Sequence, residues 1–184
     1  SFHHALFQVA SIITTTGFAT VDFNYWPAFS KSLLVLLMFI GACAGSTGGG
    51  IKCSRVVLMA KSVKKEMQYL IHPRVVRVHK MDGHRVQHEV MRSVNAFLIA
   101  YLLIFVVSVL LVSLTCEDMV TSFTAVATAL NNVGPGLELV GPAANFSFLH
   151  PLSKIVLMFD MLAGRLELFP MLLLFTPRTW FRKL

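Results

Sequence analysis

The chain has 184 residues, 55% of them hydrophobic and only 14% charged, where soluble domains carry about 45–50% and about 25%. With a mean hydropathy of +0.70, that balance excludes an ordinary soluble domain and points to a membrane protein. The net charge of +7 does not indicate a nucleic-acid binder, because no aromatic platform is interleaved with the basic residues. Three cysteines, Cys43, Cys53 and Cys116, show no C-x-x-C spacing; they exclude a disulfide framework or zinc site and read as small apolar fillers.

In chain order, Ser1-Phe2-His3-His4 shows neither an initiator methionine nor a signal-peptide pattern and reads as the middle of a longer protein. His3 and His4 are expected just before a helix. His4–Thr15 is apolar but covers only about 18 Å as a helix, too short for a bilayer, so it predicts a re-entrant helix. A span is predicted to begin at Pro27, where proline suits a first helical turn, and to run through the uncharged stretch between Lys31 and Lys52. Ten of the sixteen Lys and Arg residues then fall between Lys52 and Arg92, a segment read as a basic loop. Ser93–Cys116 carries no charge and is long enough to cross a membrane. Asp118–Leu130 is a second short apolar helix, with Asp118 as its N-cap. A last span, Ile155–Thr176, is interrupted by Asp160, Arg165 and Glu167. Cytoplasmic loops are rich in Lys and Arg. The basic segment and a tail bearing Arg178, Arg182 and Lys183 are therefore both expected in the cytoplasm, with two crossings between them.

The chain also matches itself. Placing Gly17 over Gly134, a shift of 117, puts Ala10 over Ala127; further on, Pro27-Ala28-Phe29-Ser30-Lys31 answers Pro151-Leu152-Ser153-Lys154, and Leu37-Met38-Phe39 answers Leu157-Met158-Phe159. Ala44-Gly45-Ser46 then falls on Ala163-Gly164-Arg165. The repeating unit is a span, a pore helix, a glycine turn and a second span. The fold class expected is all-α integral membrane, with pseudo-symmetric span–pore helix–span repeats, re-entrant loops and a broken second span. Residues 1–52 would hold the pore helix, filter turn and second span of one repeat, 53–92 a basic cytoplasmic segment, 93–177 a complete final repeat, and 178–184 a cytoplasmic tail.

Non-helical backbone at membrane depth is tolerated only where it lines water or is buried in protein. Backbone carbonyls there can replace the water around a dehydrated cation. Glycine at positive φ turns those carbonyls toward one axis, and the C-terminal end of a pore helix favours a cation. The candidate filter residues are Thr15, Thr16, Gly17 and Phe18 in one copy and Asn132, Val133, Gly134 and Pro135 in the other. Thr15, Thr16, Gly17, Asn132, Val133 and Gly134 would hold the ion. Neither copy has the longer T-V-G-Y-G string, so selectivity is expected to be looser than in a dedicated potassium channel.

Thr15-Thr16-Gly17-Phe18, the run from Ala44 through Gly50 to Ile51-Lys52, and Asn131-Asn132-Val133-Gly134-Pro135-Gly136 with Gly164-Arg165-Leu166-Glu167 together resemble the TrkH/TrkG/KtrB superfamily of potassium transporters, its TrkH branch above all. The likeness covers essentially the whole chain. It implies four repeats around one pore, of which this chain holds the third from its pore loop onward and the whole fourth. It further implies potassium uptake across a bacterial inner membrane, a homodimer and a cytosolic nucleotide-binding ring of the TrkA type. No cofactor is expected beyond the transported K⁺.

The run Gly45, Ser46, Thr47, Gly48, Gly49 and Gly50 invites comparison with a nucleotide-binding loop. Ile51 separates Gly50 from Lys52, however, and the preceding element is a long apolar span rather than a short strand. An unwound, gating intramembrane loop fits better and resembles the family's own. Arg165, about 16 Å down a helix from Lys154, would latch that loop with its five donors. Its partner could instead be a carboxylate on an upstream helix. Glu167 could lie near the cytoplasmic interface, and Asp160 could bond pore-lining groups. A rival reading is a membrane-embedded enzyme using Asp160 or Glu167 with histidines. That chemistry needs its groups to converge at one depth, and His72, His79, His84 and His88 lie in the basic segment. His84 and His88 have metal-ligand spacing, but no third ligand is evident.

Overall fold

The computed structural model describes residues 2–41, 43, 46, 48–71, 80–81, 84–85, 88–165 and 171. Among these residues six α-helices carry the fold: α1 (Phe2–Ile13), α2 (Ala28–Phe39), α3 (Cys53–Ile71), α4 (His88–Ser113), α5 (Met119–Asn131) and α6 (Pro151–Arg165). Two-residue strands pair as β1 (Ile40–Gly41) with β2 (Ile51–Lys52), and as β3 (Lys80–Met81) with β4 (His84–Arg85). The first pair is parallel, Ile40 beside Ile51 and Gly41 beside Lys52; the second is antiparallel.

Helix α4 is about 39 Å long at 1.5 Å per residue, and Glu89–Ser113 within it is long and apolar enough to cross a membrane. Phe97, Tyr101, Phe105, Ser108 and Val112 recur at helical spacing and are buried, while Ile99, Leu102, Leu103, Val106, Val107 and Leu110 are exposed. The buried face packs on α5 and α6, centred on Ala125, Val126, Leu130 and Leu157. The T-shaped contacts of Phe39 and Phe123 with Phe105 tie α2 into the same layer. Lipid tails are as apolar as leucine, so close fit and hydrogen bonds, rather than apolar burial, decide such packing in a membrane.

Helix α5 is surrounded: ten consecutive-range residues from Thr121 to Asn131, Phe123 excepted, are buried. It begins as expected at Asp118, whose carboxylate accepts from the backbone N–H of Val120 at 3.3 Å and of Thr121 at 2.8 Å, and from the Thr121 hydroxyl. The Thr121 hydroxyl above all, with these N–H groups, holds the Asp118 carboxyl below its usual range. Helix α1 is the shorter counterpart and packs on α2 around Ile12, Phe23, Leu34 and Met38. His3 and His4 lie within the first turn of α1 rather than before it.

Three expectations change. The broken second span expected between Lys31 and Lys52 breaks earlier than its glycine run: α2 stops at Phe39 after 12 residues and passes into β1. The break comes before the glycine run because Gly41 must fit against the returning chain, where an added Cβ would lie 2.2 Å from the Gly49 carbonyl oxygen. Among the described residues only α4 has both the length and the composition of a span; α6 is described as 15 residues ending at Arg165. The basic segment is not simply a loop either, since α3 fills 19 of its residues. Leu58 of α3, with the partly buried Met59 beside it, packs with Met91 and Val94 of α4. Lastly, the cysteines are not uniformly buried: Cys43 is exposed, while Cys53 is half-buried and its thiol donates to the Gly41 carbonyl at 3.1 Å.

Candidate functional site

Helices α1 and α5 end in the same way, residue for residue, at the shift of 117. Thr15 N–H donates to the Ile12 carbonyl at 3.0 Å and Asn132 N–H to Ala129 at 3.1 Å; Thr16 N–H donates to Ser11 at 2.9 Å and Val133 N–H to Thr128 at 3.0 Å. Even the side chains correspond, the Thr14 hydroxyl donating to Ala10 and the Asn131 amide to Ala127. Both turns then reverse the hand of the backbone twice. Thr15 and Asn132 each have φ +54°, and Gly17 and Gly134 have φ +80° and +112°. Residues of left-handed conformation set two apart, with ordinary ones between, swing successive peptide groups about the local axis. The glycines were legible in the sequence, because positive φ favours glycine. Thr15 was not, and Asn132 only weakly, asparagine being the residue besides glycine most at ease there.

The two turns touch. A Cβ on Gly17 would lie 2.2 Å from the Val133 carbonyl oxygen and 3.3 Å from Pro135 Cδ. A clasp holds their rims together: Asn24 Oδ1 accepts from Glu138 N–H at 2.9 Å, and Asn24 Nδ2 donates to the Glu138 carbonyl at 3.1 Å. Lys31 adds an ion pair to Glu138 at 3.3 Å. Thr15, Thr16, Gly17 and Phe18 are thus brought against Asn132, Val133, Gly134 and Pro135.

Below them the end of α5 is gripped from two sides. An added Cβ on Gly49 would lie 2.1 Å from the Asn131 carbonyl oxygen, and one on Gly164 would lie 1.9 Å from that of Leu130. Asn131 is fixed by the Tyr101 hydroxyl, which donates to its Oδ1 at 2.8 Å, and Asn132 Nδ2 donates to Met161 O at 3.1 Å. Gly49 of the glycine run therefore lies against the end of α5, with the run pinched at its base by the β1–β2 pair. Gly48 N–H donates to Ser46 Oγ at 3.1 Å. Of the expected gating residues, Gly45 and Thr47 lie outside the described residues, as do Glu167, His72, His79, Arg178, Arg182 and Lys183.

Ser46, Gly48 and Gly50 share with Gly164 and Arg165 one cavity of about 260 Å³, also lined by Lys52, Arg55, Phe97, Tyr101, Leu130 and Ala163. Asp160 is not in that lining. It is fully buried and accepts from the Ser108 hydroxyl of α4 at 2.7 Å. That partner, 52 residues away, gave no sequence signal.

A span-length apolar helix, short apolar helices ended by left-handed turns, and glycines that let backbones approach are the features of a helical transport protein of the membrane, the class to which the comparisons lead. The family model described as TrkH, cation transport protein, matches residues 1–182, and the chain belongs to that family. It is 42% identical over 180 residues to the Trk system potassium uptake protein TrkH of Escherichia coli K12, covering 98% of this chain and 37% of that one. It is 45% identical to TrkH of Vibrio parahaemolyticus and 37% identical to the potassium uptake protein TrkG of E. coli K12, each over 98% of this chain and 37% of the relative. The crystal structure of the potassium transporter TrkH from V. parahaemolyticus superposes with a TM-score of 0.88 at 44% identity, over 97% of this chain and 38% of the other. The chain thus spans less than two fifths of the length of these relatives.

Proposed function

We propose that this chain forms part of a potassium-uptake pore of the bacterial cytoplasmic membrane, with the paired turns as two of the walls of its selectivity filter. The observation that carries this is the repeated left-handed pattern, Thr15 and Gly17 against Asn132 and Gly134, with the two turns in contact. Carbonyls of Thr15, Thr16, Gly17, Asn132, Val133 and Gly134 replace the water of a K⁺ ion. The ends of α1 and α5 add negative dipole potential beneath it. The relatives' names as potassium uptake proteins support the same reading. The deciding experiment is radioactive rubidium uptake by the reconstituted full-length protein with Na⁺ as competitor. Uptake that Na⁺ suppresses as well as K⁺ does would refute a K⁺-preferring filter.

In this reading the protein works as a homodimer with a cytosolic ring of the TrkA type, and the C-terminus and α3 face the cytoplasm. A cysteine replacing Lys64 on α3 is expected to react with impermeant maleimide only from the cytoplasmic side; labelling of intact cells from outside would overturn the orientation. The Ser108 hydroxyl donates to Asp160, which supports a role for this acid in joining α4 to α6.

The glycine loop is the gate. Three consecutive glycines weaken helix by roughly 1 kcal/mol each relative to alanine, and Gly49 packs directly against the pore-helix end. Arg165, lining the same cavity as Ser46, Gly48 and Gly50, latches the loop and opposes passing cations. Arg165→Ala is expected to raise rubidium flux and keep the preference for K⁺. Flux that falls or stays level, at normal membrane abundance, removes the latch.

A further inference from the structure

The second turn starts at a residue that another helix holds in place. Asn131 is the last residue of α5, and Asn132 after it is already left-handed. Any swing of Asn131 therefore carries the peptide that opens the turn. Its side chain is fully buried, and both ends of the carboxamide are engaged. Nδ2 donates to the Ala127 carbonyl at 2.8 Å, a bond that lies within α5 and moves with it. Oδ1 accepts from the Tyr101 hydroxyl at 2.8 Å, which ties the residue to α4. Tyr101 is itself buried, and its ring stacks on Phe97 with centroids 6.1 Å apart. It lies about 20 Å along α4 from His88, near the middle of the span. An acceptor that lost its donor at that depth would have no bulk water to turn to.

The first copy is built without this tie. At the shift of 117 Asn131 stands over Thr14, whose hydroxyl donates back to Ala10 as Asn131 Nδ2 does to Ala127. The bond back into the pore helix is thus common to both copies, and what asparagine adds is the outward bond to Tyr101. The glycine loop supplies a reason for it. An added Cβ on Gly49 would lie 2.1 Å from the Asn131 carbonyl oxygen, and one on Gly50 would lie 3.2 Å from Asn131 Oδ1. A loop that moves against Asn131 would drag it along unless it were anchored from the other side.

We propose that Tyr101 is a positioning residue of the selectivity filter: its hydroxyl anchors Asn131 to α4, so that the filter turn stays in place when the glycine loop moves. This rests on the filter and gate readings above, and it gives a physical reason for Arg165→Ala to raise flux without loss of preference.

The test uses reconstituted full-length protein, with rubidium uptake under K⁺ or Na⁺ competition and the melting temperature measured on each variant. Tyr101→Phe removes one oxygen and keeps the ring. It is expected to lower the preference for K⁺ over Na⁺ about threefold or more, the factor by which one buried hydrogen bond shifts an equilibrium. Adding Arg165→Ala, which frees the loop, should lower it further. Phe105→Leu, one turn along the same buried face of α4 and packed on Phe39 and Phe123, should reduce the melting temperature and leave the preference unchanged. Asn131→Thr installs the first copy's residue and withdraws the acceptor. It should cost about as much preference as Tyr101→Phe, and the two together should cost no more than one. The proposal is overturned by an unchanged preference in Tyr101→Phe, by an equal loss in Phe105→Leu, by simple addition of the Tyr101 and Asn131 effects, or by no further loss on freeing the loop. Gly134→Ser, measured beside them, separates two failures. If it lowers the preference and Tyr101→Phe does not, the filter stands and the anchor alone is wrong. If neither does, the filter reading falls and the anchor falls with it.

Discussion

Gly17→Ser and Gly134→Ser are expected to lower the preference for K⁺ over Na⁺, and the first should loosen the fold more than the second. A Cβ at φ > 0 costs about 1–2 kcal/mol at either position. Gly134, at φ +112°, sits further from the left-handed well, yet its Cβ would find its nearest neighbour, Gly17 Cα, 3.8 Å away. At Gly17 the Cβ would lie 2.2 Å from the Val133 carbonyl oxygen. Backbone in a turn held by hydrogen bonds to Ala129 and Thr128 cannot move aside cheaply. The strain at Gly17 therefore passes into the neighbouring turn, while that at Gly134 stays local. Rubidium uptake under Na⁺ competition, together with thermal denaturation in detergent, reads both effects. Unchanged selectivity in both variants would end the filter assignment, and equal melting temperatures would show that the two turns do not bear on each other.

Gly164→Ala should be the most damaging single methyl addition outside the turns. The new carbon would lie 1.9 Å from the Leu130 carbonyl oxygen and 2.8 Å from Asn132 Nδ2. Relief requires α6 to retreat from α5, which breaks the Asn132 Nδ2 bond to Met161 O and loosens the packing of Ala163 on the same layer. Overpacking of this kind typically costs about 1–3 kcal/mol. Without a hydrophobic drive to close helices in lipid, little compensates it. The expected result is a lower melting temperature and reduced yield of the full-length protein. Because Arg165 is the next residue, the surviving fraction should also conduct as an unlatched pore. A Gly164→Ala protein as stable as the parent would mean that the two helices do not meet so closely.

The two short helices and their glycine turns were readable because one chain carries them twice, so that Gly17 and Gly134 vouch for each other. Asp118 was readable because a capping carboxylate works over three residues. What escaped the sequence lies either in contacts without local period or under misleading composition. The strands β1 and β2 are two residues each, too short for alternation to register, yet they set where α2 ends. Helix α3 was hidden by its lysines, and its one buried residue, Leu58, finds its partners only in Met91 and Val94 on α4. Thr15 takes a left-handed conformation for which threonine gives no warning; only its equivalence with Asn132 could have suggested it. The pairing of Ser108 with Asp160 joins two helices far apart in the chain, and a buried acid alone does not name its donor.

Asn24 gives the joined rims of the two turns a cooperative character. Its amide closes a two-point bridge onto the peptide of Glu138, and Asp22 Oδ1 in turn accepts from Asn24 N–H at 2.9 Å. The Glu138 N–H is thus shielded by a side chain 114 residues away in the chain rather than by its own neighbours. It can exchange with deuterium only when the Asp22–Asn24 turn swings away. The two rims should open as one unit, and a disturbance that reaches one turn is delivered to both.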